Sequence, residues 1–266
     1  GLQDRPRDKI VVLRRWQSIA PRMPRPGSDR LRGGGYFLIW KGKGIVVDPG
    51  YDFVQNFYEE GFSLDDIDAV VVTHSHADHD NDLSTLTSLC KEWADYEQLG
   101  GGTKSPRGID SIDFVLNESA ALKFSAWLKS SRVKIGRLIT MSSAWWDKDS
   151  EVPWEPRIRG GTASIDLLKE YSLTIEVIPA WHDDVISRTE AVGLKLHLYE
   201  APKTNEEDTQ ELLGRIGITG DTGAYGYDLA GRGNNHPPRI EAFYGDCDVL
   251  IAHLGDVRIR ELTTAI

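Results

Sequence analysis

"VVVTHSHADHD", residues 70–80, decides how this chain is read. Val70, Val71 and Val72 form a β-branched apolar run bounded by polar residues, which suits a strand covered on both faces, as in the parallel part of an α/β sheet. Three histidines and two aspartates follow at its C-terminal end. His74 and His76 stand two apart, so an extended segment would point both to one side. Asp78 and His79 fall at the entry to the next helix. Imidazole and carboxylate are the donors that zinc and its neighbours accept, so four candidate ligands come from six residues. A chain with seven histidines in 266 residues is not expected to group three of them this way by chance.

The flanking sequence is consistent with an α/β architecture. Upstream, "KIVVLRRW" reads as a strand. The Pro/Arg/Gly-rich stretch from Ala20 to Gly35 reads as a loop, and "YFLIW", the turn "KGKG" and "IVVDPG" as a hairpin. "FVQNFYEEG" has helical spacing, and "SLDDID" resembles a helix start, with Ser63 as N-cap and Asp66 three residues on. Downstream, "DLSTLTSLCKEWADYE" and "ESAALKFSAWLKSS" read as amphipathic helices around the strand "IDFVLN". Between Thr140 and Thr162 the chain carries Trp145, Trp146 and Trp154 among prolines and glycines and reads as neither helix nor strand. "YSLTIEVIPAWHDD", "AVGLKLHLYE", "RIGITGD" and "CDVLIAHLGD" then supply four further strands. No internal repeat is visible, and residues 1–266 are expected to form one domain.

Composition excludes several classes. The net charge is −10, from 31 basic and 41 acidic residues, which argues against the broad basic surface that nucleic-acid proteins carry. Cys90 and Cys247 lack metal-site or redox spacing. No apolar run is long enough to cross a membrane, and the start resembles no export signal, so a cytoplasmic chain is expected. "GGTASID" and "LGGGTK" lack the Lys-Ser/Thr of a phosphate loop. The chain starts without Met and stops soon after "LIAHLGD", so it is expected to be a segment of something longer.

"THSHADHD" resembles the signature of the metallo-β-lactamase superfamily, and the resemblance runs from "GGGYFLIWKGKGIVVDPG" to "DVLIAHLGD". It implies a four-layer αββα sandwich with two divalent metal ions along one edge, zinc first and manganese as the alternative. It also implies that His182 in "VIPAWHDD" is the next ligand, that Asp221 in "ITGDT" bridges the metals, and that Asp48 in "VVDPG" holds a ligand histidine from behind. Asp48 reads equally well as a turn residue before Pro49. One metal would then take His74, His76 and His182, the other Asp78, His79 and His253, with Asp221 between them.

Within the superfamily the layout is most similar to the ribonuclease Z and phosphodiesterase branch. In that group the histidine at the place of His253 lies near the leaving group, and the last ligand comes later, here beyond Ile266. His253 is therefore either a ligand or the proton donor, and the ligand role is favoured because it completes the second metal. Asp78, His253 or a water could protonate the leaving group.

The activity implied is cleavage of phosphodiester bonds by a metal-activated hydroxide, in a nuclease or a cyclic-nucleotide phosphodiesterase. A carbon-ester hydrolase acting on a lactone, thioester or β-lactam is the alternative, and a degenerate binding module the third class. The acidic charge, the missing Gly/Pro-rich arm and "DHDND" in place of a glycine-containing continuation favour a short or cyclic nucleotide, or a nuclease domain recruited by a larger protein. Trp145 and Trp146 could stack on a base, and His236 in "GRGNNHPPR" could touch substrate, although loop anchoring and a solvated histidine are the simpler readings. The expected partner is a nucleotide or nucleic acid and not a membrane, with a homodimer or further attached domains also expected.

Overall fold

The computed structural model describes residues 8–13, 34–99, 112–130, 135–141, 144–146, 156–158, 164–180, 191–200, 210–222 and 243–254. The expected hairpin forms from β2 (Tyr36–Trp40) and β3 (Lys43–Val47), and β1 (Lys9–Val12) adds to it antiparallel. Beyond β3 the pairing turns parallel through β4 (Ala69–Val72), β5 (Ile112–Asn117) and β6 (Ile135–Met141), giving a six-stranded sheet in sequential order. β4 is buried throughout, as its uninterrupted valines require.

The crossovers are the helices read from the sequence. They are α1 (Phe53–Glu59), α3 (Leu83–Gln98) and α4 (Glu118–Ser130), with a short α2 (Ala77–Asp80) inside the histidine motif. The "SLDDID" segment makes one 3-10 turn, Leu64–Asp66, and the Asp66 carboxylate accepts the Ser63 backbone N–H at 2.8 Å. Phe37, Phe53, Phe57, Phe62, Leu83, Leu86, Phe114 and Phe124 fill the layer between these helices and the sheet. Each ring or leucine fully removed from water contributes about 1.5–3 kcal/mol relative to exposure.

A second sheet has the order β13-β12-β11-β10-β9, made of β9 (Ser164–Leu167), β10 (Leu173–Pro179), β11 (Val192–Tyr199), β12 (Leu212–Thr222) and β13 (Val249–Leu254). Its strands run antiparallel except for the parallel pair β12–β13. α5 (Leu168–Tyr171) turns the chain from β9 to β10. Leu38, Val47, Val71 and Val115 of the first sheet share one apolar cluster with Ile175, Val177, Leu194, Leu196 and Ile218 of the second. The fold is thus the mixed α/β sandwich expected, two sheets face to face with helices on the outer side of the first. On the other side of the second sheet, Tyr244 and Cys247 pack over Gly193 and Gly217.

One expectation is corrected. The tryptophan-bearing stretch contains regular structure, because β6 runs to Met141 and β7 (Ala144–Trp146) pairs antiparallel with β8 (Pro156–Ile158). Three-residue strands are too short to display an alternating pattern, so their pairing is invisible to periodicity. Among the described residues no helix is long and apolar enough to cross a membrane.

Candidate metal centre

The site begins where β4 ends. Val72 closes the strand, and the chain runs extended through the histidines until His76, at φ −80° and ψ 148°, becomes the residue before α2. That geometry puts the His74 and His76 rings on one side, with centroids 4.9 Å apart. α2 then returns His79 toward them, its ring centroid 3.9 Å from that of His74. The second sheet supports the same loop, since the Val192 N–H at the start of β11 donates to the Thr73 carbonyl at 3.1 Å.

Asp221 arrives from that second sheet by a bulge. Ile218 pairs with Ile251, but the next pair is Asp221 with His253, so Thr219 and Gly220 together stand opposite Ala252. Gly220 takes φ +59°, and a Cβ there would lie 2.6 Å from the Val192 carbonyl oxygen. Only glycine fits both demands. Because side chains alternate along a strand, the extra residue moves Asp221 onto the face of Ile218, toward the first sheet.

The result is a convergence of donor atoms around one carboxylate. Asp221 Oδ1 lies 3.1 Å from His79 Nε2, and Asp221 Oδ2 lies 3.8 Å from His74 Nε2. Asp78 Oδ2 is 3.6 Å from His79 Nε2. Ligand atoms of His74, His76 and Asp221 lie within 4.8 Å of one another, as do those of Asp78, His79 and Asp221. Two donors each about 2.1 Å from one tetrahedral ion stand about 3.4 Å apart, so these spacings suit a cation in each group with Asp221 common to both. The donor chemistry fits as well, since Asp221 is buried here and buried negative charge requires compensation.

Asp48 sits behind the histidines. It follows β3, adopts φ 52° and is fully buried. A left-handed conformation costs a non-glycine residue of order 1 kcal/mol, and here it aims the carboxylate at three donors. The Thr73 N–H donates to Oδ1 at 2.7 Å, and the Thr73 hydroxyl and His79 Nδ1 lie 2.8 and 2.9 Å from Oδ2. The Thr73 hydroxyl also meets His74 Nδ1 at 3.1 Å. A hydroxyl has one proton and a carboxylate has none to give. If Thr73 donates to Asp48, His74 Nδ1–H must donate to Thr73. By accepting these hydrogen bonds, the same carboxylate holds the proton on Nδ1 of His79 directly and of His74 through Thr73, leaving both Nε2 atoms free of hydrogen and turned toward Asp221.

Five of the residues singled out in the sequence, His74, His76, Asp78, His79 and Asp221, are brought together, with Asp48 beside them. His253 is the register partner of Asp221 in the backbone, while its side chain, like those of Trp145 and Trp146, lies outside the described residues. So do His182 and His236 altogether. Sequence reasoning missed Thr73, Ser75 and Lys123. A threonine before a histidine carries no signal of its own, and Lys123 reads as one solvated charge on a helix. His197, set aside as a strand histidine, lies on β11 with Nε2 2.9 Å from Glu176.

The family model of the metallo-β-lactamase superfamily matches residues 31–92, which bears out the resemblance seen in "THSHADHD". Over 45 residues the chain is 49% identical to the ribonuclease Z of Thermobifida fusca, a match spanning 17% of this chain and 14% of that protein. It is 40% identical over 45 residues to the ribonuclease Z of Streptomyces coelicolor, spanning 17% and 15%. The human tRNase Z short form superposes with a TM-score of 0.48 at 14% identity, over 80% of this chain and 68% of that one.

Proposed function

We propose that this chain, whose residues 31–92 match the metallo-β-lactamase superfamily, is a two-metal hydrolase of phosphodiester bonds. The observation that supports it most is the sharing of Asp221 between two donor groups, one carboxylate oxygen toward His74 and the other toward His79. On this reading His74, His76 and His182 hold one ion, Asp78, His79 and His253 the other, and Asp221 both. Zinc suits the imidazole and carboxylate donors, and manganese is the alternative. A divalent pair supplies a water of lowered pKa and a Lewis acid for the phosphorus under attack.

The protein's own groups do the rest. Asp48 and Thr73 fix the tautomers of His79 and His74, so that the donor atoms are set before substrate arrives. Asp78, at the open side of the group, and His253, at the register position beside Asp221, are the candidates for returning a proton to the leaving oxygen. The phosphodiester assignment comes from the local similarity to ribonuclease Z. The net charge of −10 disfavours long polyanions and points to short or cyclic nucleotides, or to a nuclease delivered by an attached domain.

A substrate panel tests this. Bis-p-nitrophenyl phosphate, 2′,3′- and 3′,5′-cyclic nucleotides, single-stranded RNA and DNA, and an acyl lactone would be offered with zinc or manganese. Metal-dependent turnover of a phosphodiester is expected. Turnover of the lactone with silence on every phosphodiester would replace the reading with carbon-ester hydrolysis.

A further inference from the structure

One buried carboxylate of the histidine motif belongs to neither donor group and has its own neighbours. Asp80 ends α2 with no exposed side-chain surface. Its Oδ2 accepts the Ser75 hydroxyl at 2.9 Å, and Lys123 Nζ lies 2.9 Å from Oδ1 and 2.7 Å from Oδ2. Lys123 belongs to α4, where the Asn117 carboxamide oxygen accepts the Ala120 N–H at 3.0 Å in the first turn. Ala120, Ala121, Phe124 and Leu128 bury that helix against the first sheet. Lys123 therefore projects from a fixed support.

The placement of these groups joins both arms of the motif. Ser75 stands between His74 and His76, and Asp80 directly follows His79. A single carboxylate thus ties the extended arm to the helical arm, and an ammonium on a separate packed helix holds the carboxylate. A charge taken fully out of water costs several kcal/mol unless it is paired and hydrogen-bonded. Lys123 supplies the charge and Ser75 the hydrogen bond. Without the ammonium, Asp80 keeps the Ser75 hydroxyl but loses the charge that compensates it.

We propose that Lys123 is a positioning residue for the metal centre, acting through Asp80 and Ser75 to fix the turn that carries His74, His76 and His79. The inference rests on the two-metal reading above. Its test uses the 266-residue chain and the variants Lys123→Met, Lys123→Arg and Ser75→Ala. Zinc affinity is measured by competition with a chromophoric chelator, and the Co²⁺-loaded chain gives an absorption spectrum of the ligand geometry. Lys123→Met and Ser75→Ala should each weaken zinc binding about tenfold, with altered cobalt bands, the scale of a change just behind the ligands. Lys123→Arg should return affinity to within about twofold of the parent, because it restores the charge and the paired hydrogen bonds.

Parent affinity and spectrum in either Lys123→Met or Ser75→Ala would overturn the proposal, and so would an Arg variant as weak as the Met variant. Should Lys123→Met not fold, Ser75→Ala decides alone, since it leaves the ion pair in place. A parent chain that binds two zinc ions but hydrolyses nothing would overturn the function proposed above and leave this inference standing. One that binds no zinc would overturn both.

Discussion

At the scale of single residues, the site is a problem in proton bookkeeping. Asp48 is acceptor-only, takes three donors and through them sets two histidine rings. Thr73→Val keeps the shape and removes the relay to His74. It should weaken zinc binding about 10–100-fold and cost about 1–3 kcal/mol of stability by leaving buried polar atoms without a hydroxyl. Thr73→Ser keeps the hydroxyl and should bind zinc like the parent. Chelator competition on the two variants checks this, and a loss in Thr73→Ser with none in Thr73→Val would show that the methyl group rather than the hydroxyl matters. The histidines and Asp78 were legible in the sequence because their spacing is rare. Thr73, Ser75 and Lys123 were not, because their roles depend on what the fold places opposite them.

Strands and helices show the same division. β4 and the main helices could be read directly, since a valine run and a 3.6-residue period are local properties. The bulge in β12 could not, because it exists only relative to β13, although "TGDT" did show a glycine beside the aspartate. Gly220→Ala should destabilise the chain by about 1–3 kcal/mol, through the left-handed backbone and the contact with the Val192 carbonyl, and should reduce zinc binding by displacing Asp221. Thermal unfolding and zinc titration of the variant measure both effects, and unchanged zinc binding would mean that the bulge does not aim Asp221.

A second carboxylate, at the opposite end of the parallel strands, ties β5 to β6 and α5. Burial pushes Asp113 up, but hydrogen bonds from the Arg137 guanidinium and the Tyr171 hydroxyl outweigh it and hold the carboxyl below its ordinary range. A lowered folded pKa means stability that is present above the ordinary carboxylate pKa, about 3.9, and lost as pH falls through the folded value. Relative to Asp113→Asn, the parent should hold an advantage of about 1 kcal/mol near neutral pH, modest because Arg137 is half exposed. Urea unfolding should show that advantage closing below about pH 4. A gap independent of pH would contradict the pairing.

On the scale of the whole molecule, two facing sheets bring the ends of β4 and β12 to one edge, and the donor groups form where those ends meet. The sequence pattern alone could foresee the sandwich, but not which atoms would face each other across it. Buried carboxylates collected at that edge, in a chain of net charge −10, are poorly suited to an anionic substrate until cations compensate them. That dependence gives the account its sharpest test, turnover of bis-p-nitrophenyl phosphate by the metal-stripped chain as zinc or manganese is added in measured equivalents. No turnover is expected without metal, then a rise to a plateau at two equivalents per chain, with a His76→Ala variant that stays more than about 100-fold lower, beyond the loss expected from a group behind the ligands. No turnover at any loading, or a plateau reached equally by His76→Ala, would contradict it.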